Sequence, residues 1–194
     1  MKIAVIGGGA AGFFSAINVK ENYPNAQVII FEKSKKVLSK VKVSGGGRCN
    51  VTNGCSSMNE LLKAYPRGGK KLKKIFSEFN NKDTIQWFES RNVPLYTQQD
   101  NRVFPKSDNS QSVINCLFNE LKRLSINLEL GVNIENIVKE KKHLVLHTKN
   151  EIYPDDRNEK LNPKYIIDKS VYGLRYDVTQ LMFVASKNNN WKID

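Results

Sequence analysis

The amino-acid sequence predicts an α/β fold built on a parallel sheet, and three segments at its start carry that prediction. Residues 2–6 (KIAVI) form a short, mostly apolar run ended by glycine, the pattern of a central strand covered on both faces. Residues 10–22 follow as a helix, with Ala10, Ala11, Phe13, Phe14, Ile17 and Val19 supplying a broad apolar face before Pro24 stops it. Residues 27–32 (QVIIFE) are a second strand, so the chain opens on a βαβ unit, whose crossover is strongly biased to one hand.

Composition agrees with a globular domain. The chain has 194 residues, 40% of them hydrophobic, 9% aromatic and 26% charged, enough for one core-bearing domain and unlike a disordered or fibrous chain. No apolar run approaches the roughly 20 residues needed to cross a bilayer. Lys and Arg exceed Asp and Glu by 31 − 19 = 12, and residues 151–194 hold seven of each sign, so the excess lies in residues 1–150. Such a surface attracts anions in general without choosing among phosphate polymers, membranes and small ligands. Cys49, Cys55 and Cys116 form no CxxC pair, and an odd count suits a reducing compartment. With no export signal in the first residues, the expectation is cytoplasmic.

Residues 33–56, rich in Lys, Ser and Gly, read as an extended loop, and long loops inside domains are usually functional. Three helical patterns follow, near 57–65, 69–79 and 82–91, then two short strands near 95–96 and 102–103 between Pro94 and Pro105. Val113, Ile114, Leu117, Phe118, Leu121 and Leu124 give 109–124 a helical face. A strand at 126–130 and a hairpin of 134–139 with 143–148 complete this part. The expected boundaries are therefore 1–150 for the domain and 151–194 for a tail of different composition, with apolar patches at 165–167 and 181–185.

Gly7-Gly8-Gly9-Ala10-Ala11-Gly12 satisfies G-x-G-x-x-G between a strand and a helix, the context that the dinucleotide fingerprint requires. Gly7 permits the tight turn, Gly9 lets the backbone approach a pyrophosphate, and Gly12 lets the helix pack closely on the sheet. The helix N-terminus beyond offers free N–H groups and a positive dipole end. Glu32 ends the second strand 32 − 12 = 20 residues after Gly12, where a carboxylate can accept hydrogen bonds from a ribose. An acid there favours FAD or NAD over a 2′-phosphorylated cofactor, and the spacing does not separate the two. A glycine turn with no ligand is the plain alternative.

The second cluster is Ser44-Gly45-Gly46-Gly47-Arg48-Cys49-Asn50-Val51-Thr52-Asn53. Three glycines let a loop approach a flat or charged ligand, Arg48 supplies a cation, and Asn50 and Asn53 supply amides. Read alone, a flexible surface loop is its plain alternative. Cys49 is a candidate redox thiol, but a lone cysteine is more often inert. No metal site is expected: no histidine lies near Cys49 and Cys55, and His143 and His147, four apart on one strand, stand about 13 Å from each other.

KIAVIGGGAAG with Glu32-Lys33, then KVKVSGGGRCNVTN at 40–53 and NRVFPKSD at 101–108, closely resemble the N-terminal part of a bacterial NAD(P)/FAD-dependent oxidoreductase family. It includes aminoacetone-oxidase-like and bile-acid-dehydroxylation-type flavoproteins. The resemblance covers roughly residues 1–150. It implies a Rossmann-like FAD-binding domain of the two-dinucleotide-binding type, with a parallel sheet, flanking helices and a small β-meander, related to the flavoprotein subunits of fumarate reductases. By that similarity Gly7, Gly9, Ala10 and Gly12 would wrap the FAD pyrophosphate, and Glu32 with Lys33 would bind the adenosine side. Lys40 and the stretch Gly45, Gly46, Gly47, Arg48, Cys49 and Asn50 would lie along the ribityl and flavin portion. Ile134 would meet the adenine through its backbone, and 102–107 would form a loop on the active-site side. Lys42 stands where the family usually has an apolar residue.

The family's members are about twice as long, and nothing at 151–194 matches the turn and the Gly-Asp segment expected beyond residue 150. An incomplete domain with an atypical tail is therefore expected. The resemblance implies an oxidoreductase moving hydride between a nicotinamide and a small organic substrate, with NAD(P)H as electron donor; no residue qualifies as a general acid or base. The rival is a truncated, non-catalytic fragment that binds cofactor weakly or needs a complementary chain for the missing half. A third reading, a basic nucleic-acid-binding module, draws on Arg67 and Lys70 to Lys74, but no nucleic-acid motif accompanies them and a solvated face is expected there.

Overall fold

The computed structural model describes residues 1–66, 68–140, 143–148, 164–168, 172–176 and 180–184. The chain divides into two compact units, one formed by Met1–Leu38 with Glu120–Asp194 and the other by Ser39–Asn119. The first unit thus draws residues from both sides of position 150.

In the first unit, β1 (Lys2–Ile6), α1 (Ala10–Asn22) and β2 (Gln27–Glu32) form where the apolar runs place them. β1 and β2 pair in parallel from Lys2 opposite Gln27 to Ile6 opposite Phe31. Ile3, Val5, Val28, Ile30 and Phe31 are buried along these strands, and α1 lays Phe13, Ala16 and Ile17 into the same core. Continuous burial on both faces is what a central parallel strand requires. The exit from α1 is fastened by the Lys20 ammonium, which donates to the carbonyls of Pro24 (2.8 Å) and Ala26 (2.6 Å).

β6 (Asn127–Leu130) pairs in parallel with β2 on the other side. β7 (Ile134–Glu140), β8 (His143–Thr148) and β9 (Lys164–Asp168) make a separate three-stranded antiparallel meander, with Val145 and Leu146 buried. β10 (Tyr172–Tyr176) and β11 (Gln180–Val184) form an antiparallel pair, and β11 runs antiparallel beside β1, with Leu181 opposite Ile6. The sheet order is β10-β11-β1-β2-β6. In the structure the tail supplies β11 beside β1. Both apolar patches of the tail include strand residues, 165–167 in β9 and 181–184 in β11, while residue 185 lies outside the described residues.

In the second unit, the stretch expected as a loop contains regular structure: α2 (Ser39–Val43), a 3-10 turn at Ser44–Gly47 and the two-residue β3 (Thr52–Asn53). α3 (Met58–Lys63), α4 (Gly69–Glu78) and α5 (Asn81–Glu89) match the three helical patterns. Capping boxes at Ser57/Glu60 and Asn80/Asp83 start α3 and α5, each satisfying two backbone donors reciprocally. β4 (Leu95–Thr97) and β5 (Arg102–Pro105) join β3 in an antiparallel sheet of order β3-β5-β4, with Val103 and Phe104 buried. α6 (Ser110–Arg123) runs from the second unit into the first and buries Val113, Ile114, Leu117 and Leu121 along one face.

Candidate dinucleotide-binding site

Gly7 turns the chain out of β1 with a φ of 108°, a left-handed conformation that glycine adopts without steric cost. Its amide still donates to the Phe31 carbonyl at 2.8 Å, so the turn stays tied to the sheet. α1 then begins at Gly9, which has no side chain to cap it, and the first bond inside the helix runs from Phe13 N–H to the Gly9 carbonyl (3.0 Å). The amides of Ala10, Ala11 and Gly12 precede that bond and have no partner within the helix. Ala10 and Ala11 are exposed. Gly12 admits nothing larger: a Cβ there would stand 1.9 Å from the Gly7 carbonyl oxygen. Helix tip and glycine turn are therefore in direct backbone contact.

Glu32 ends β2 beside this turn. Its Oε2 accepts the Gly8 amide at 2.7 Å, and its Oε1 accepts the Ser34 amide (2.8 Å) and hydroxyl (2.9 Å). A carboxylate offers about four acceptor positions, so these three bonds leave room for one more donor, on Oε2. Partial burial alone would raise the Glu32 carboxyl; the bonds from Gly8 and Ser34, with the Lys33 charge, outweigh it and hold the group below its ordinary value of 4.5. The side chain is thus a fixed anion. After β6 the chain returns to this corner, where Val132 N–H donates to the Glu32 carbonyl (3.0 Å) and Gly131 N–H to that of Ser34 (3.3 Å). Ile134 begins β7 two residues later.

The second unit holds a cluster of its own. Gly45, Gly46 and Gly47 have φ of 57°, 70° and 86°, the left-handed region that glycine adopts freely. A Cβ on Gly46 or Gly47 would meet nothing within 4 Å, so this stretch is bare, whereas one on Gly45 would strike the Phe104 ring at 2.6 Å. Arg48 lies over that ring, its guanidinium carbon 4.0 Å from the centroid, and its Nε donates to the Gly45 carbonyl at 3.3 Å. Asp108 stands 3.7 Å from Arg48 and accepts the Tyr96 hydroxyl at 2.7 Å. Asn50 Oδ1 accepts Val103 N–H at 3.2 Å, and Val51 N–H donates to the Val103 carbonyl at 2.8 Å. The motifs at 40–53 and 101–108 therefore pack on each other.

A model of the HI0933-like protein Rossmann domain matches residues 1–157. The chain belongs to the HI0933-like family. It is a family of FAD-dependent oxidoreductases, the flavoproteins that the three motifs resemble. Among curated relatives, the 3-dehydro-bile acid delta(4,6)-reductase of Clostridium scindens is 30% identical over 160 residues, which is 80% of this chain and 37% of that protein. The ribosomal RNA dihydrouridine synthase of Escherichia coli is 26% identical over 141 residues, 70% of this chain and 32% of that protein. The chain thus spans about a third of the length of these relatives.

The fold is shared with solved structures. A flavocytochrome c3 fumarate reductase in an open conformation superimposes with a TM-score of 0.59 at 19% identity, covering 86% of this chain and 32% of that one. The 3-ketosteroid-delta4-(5alpha)-dehydrogenase of Rhodococcus jostii gives 0.58 at 11% identity, covering 87% and 44%.

Within this HI0933-like chain, the residues named for the dinucleotide fall into two sets. Gly7, Gly9, Ala10, Gly12, Glu32, Lys33 and Ile134 belong to the first unit, and Lys40, Gly45, Gly46, Gly47, Arg48, Cys49 and Asn50 to the second. Lys33 and Lys40 are exposed. Cys49 is buried, which raises its thiol above the ordinary value and makes it a poor nucleophile, and Ser44 only partly offsets this. Residues 102–105, which the resemblance implies as part of a loop at 102–107, form the central strand β5, as the local pattern near 102–103 predicts; the backbone of Val103 bonds to the SGGGRCN segment and to β4. Lys42, the departure from the family pattern, is exposed, so a charged side chain costs little there; its carbonyl accepts the Ser110 hydroxyl at 2.9 Å.

Sequence reasoning missed Ser34, whose amide and hydroxyl both fix Glu32, although a serine two residues after a strand-ending acid is a common turn signal. It also missed buried Asn81, whose amide donates to the carbonyls of Asn53 (2.7 Å) and Cys55 (2.9 Å). Among the described residues no group of three or more His, Cys, Asp or Glu could hold a metal ion, and no helix is long and apolar enough to cross a membrane.

Proposed function

We propose that the first unit binds FAD by its ADP half, and that the protein serves as a cytoplasmic FAD-dependent oxidoreductase moving hydride between a nicotinamide, NAD(P)H, and a small organic substrate. The observation that carries this reading is the Gly8–Glu32 hydrogen bond of 2.7 Å, which sets a held carboxylate beside an uncapped helix tip. The pyrophosphate would lie against Gly9 and the helix-tip amides of Ala10, Ala11 and Gly12 next to the Gly7 turn, and a ribose hydroxyl would take the remaining position on Glu32, with Lys33 alongside. The adenine would meet the backbone at Ile134. In the second unit the bare Gly46–Gly47 backbone and Arg48 offer a platform for a flat or anionic group, with Gly45, Cys49 and Asn50 adjoining it and Lys40 nearby in sequence. The flavin, when bound, supplies the redox chemistry, and the chain's part is binding and electrostatics.

Purified protein should be yellow, with bands near about 375 and 450 nm and FAD released on denaturation. Protein that stays colourless after incubation with FAD would refute the reading.

One observation favours a rival detail. The second relative's name sets an RNA substrate against the small organic one. Turnover of a steroid-like enone against reduction of uridine in RNA, each followed by NADPH oxidation, separates the substrates.

A further inference from the structure

We propose that Asn53–Gly54 is a latent self-modification site, where the Asn53 side chain cyclises onto the Gly54 nitrogen, and that the buried Asn81 amide is the latch that holds it shut. The site lies within the second unit and does not depend on the flavin.

Asn53–Gly54 is the only Asn-Gly pair in the sequence. With no Cβ on the residue after the asparagine, nothing shields the Gly54 nitrogen from Asn53 Cγ. The reaction needs only water. The Gly54 nitrogen bonds to Cγ as the Cγ–Nδ2 bond breaks, and ammonia leaves with the amide proton. The succinimide ring so formed takes up one water at either carbonyl and opens to aspartate or isoaspartate. The packing keeps the labile neighbour in place: a Cβ on Gly54 would stand 2.3 Å from Thr97 Cγ2 and 2.9 Å from its Oγ1, which favours glycine there.

Ring closure requires the planar Asn53–Gly54 peptide unit to swing out of the extended backbone of β3 until its nitrogen faces Cγ. Both ends of that unit are held. Its carbonyl oxygen accepts Asn81 Nδ2 at 2.7 Å, and its N–H donates to the Asn101 carbonyl at 2.7 Å. The carbon to be attacked is held as well, because Asn53 Oδ1 accepts the Cys55 N–H at 2.9 Å. The amide that the sequence offers to a ligand is thus turned onto its own chain. Asn81 gives its other proton to the Cys55 carbonyl at 2.9 Å, so one side chain fastens the backbone before and after Gly54. It is buried at the start of α5, where the Asn80/Asp83 capping box places it. The remaining anchors are backbone groups and Asn53 itself, which leaves Asn81 as the one that a substitution removes. Opening has a lasting result. Isoaspartate inserts a carbon into the main chain at the end of β3, where Thr52 lies opposite Val103 and Asn53 opposite Arg102, and so breaks the register with β5.

The test is incubation of the full chain in mildly alkaline buffer, with peptide mass spectrometry following the conversion of Asn53 to aspartate and isoaspartate. The folded wild type should convert about a hundredfold more slowly than the same chain in denaturing urea, since the pinned peptide unit reacts only when it opens locally. Asn81→Ala should speed conversion in the folded protein about tenfold, and Asn53→Gln should abolish the signal. Ile17→Val, in the core of the first unit, lowers global stability and should leave the rate unchanged. Hydrogen exchange at the Gly54 amide in the wild type reads the same opening without any variant, and the amide should be protected. That measurement and the comparison with urea decide the matter if circular dichroism shows Asn81→Ala unfolded. The proposal falls if the folded chain converts as fast as the denatured one, if the Gly54 amide exchanges freely, if folded Asn81→Ala converts no faster than the wild type, or if Ile17→Val speeds conversion as much as Asn81→Ala does.

Discussion

The Gly8 amide and the Glu32 carboxylate, 24 residues apart in sequence, meet at 2.7 Å and join the glycine turn to the end of the second strand. The contact follows from the βαβ register. Ile6 lies opposite Phe31, so the turn after one strand and the acid ending the next emerge at the same edge. The bond holds the carboxylate charged and aimed, and it fixes the geometry that a ribose and a pyrophosphate would share.

That bond has a pH signature. The folded Glu32 carboxyl lies below its ordinary value of 4.5, so the carboxylate stabilises the fold above about pH 4.5, and the contribution is lost as pH falls through the lower folded value. Glu32→Gln should cost about 1 kcal/mol at neutral pH, since the group is partly solvated and its bonds are screened. The difference in urea midpoint between wild type and variant should be full at pH 7 and shrink as pH is lowered below 4.5. A gap that does not change between pH 7 and pH 3 would place the effect in packing instead of charge.

Gly12 and Gly46 separate two uses of glycine. At Gly12 an added Cβ meets backbone oxygen at 1.9 Å, which no rotamer relieves, so Gly12→Ala should cost about 3 kcal/mol or more by forcing α1 away from the turn. At Gly46 a Cβ meets nothing within 4 Å and only the φ of 70° resists it, for about 1–2 kcal/mol. Thermal melts should rank the two variants in that order. If Gly46 proves the costlier, the triglycine stretch is packed rather than bare.

Much of the first unit was legible because its signals are local. Ile3 to Ile6 can only be a buried strand before a glycine turn, and Pro24 ends the helix that follows. The spacing from Gly12 to Glu32 is a property of one βαβ unit. Ser39 to Gly47 was not legible, since Lys and Ser carry no apolar period over a single helical turn, and three successive glycines permit a 3-10 turn as readily as an open loop. The strand near 102–103 was legible, but half of its pairing was not: besides its hairpin partner Thr97, Val103 bonds to Asn50 and Val51, which lie distant in sequence. β11 shows the same limit, because a strand beside β1 is specified by an edge that lies at the other end of the chain.

Arg48, Phe104 and Asp108 form a stack in which one member supplies nearly all the stability. Phe104 is fully buried beneath the guanidinium, and Phe104→Ala should cost about 3–5 kcal/mol through the cavity it leaves. The cation over the ring adds about 0.5–1 kcal/mol at this partly exposed position. The Arg48–Asp108 pair, at 3.7 Å with both side chains in solvent, is worth less still, so Asp108→Asn should change stability by under about 1 kcal/mol. Arg48→Lys keeps the charge but loses the planar stack and the bond to the Gly45 carbonyl. Denaturant midpoints should rise from Phe104→Ala through Arg48→Lys to Asp108→Asn. An Asp108→Asn variant as unstable as Phe104→Ala would show that the carboxylate, through Tyr96, and not the aromatic ring, holds the triglycine stretch in place.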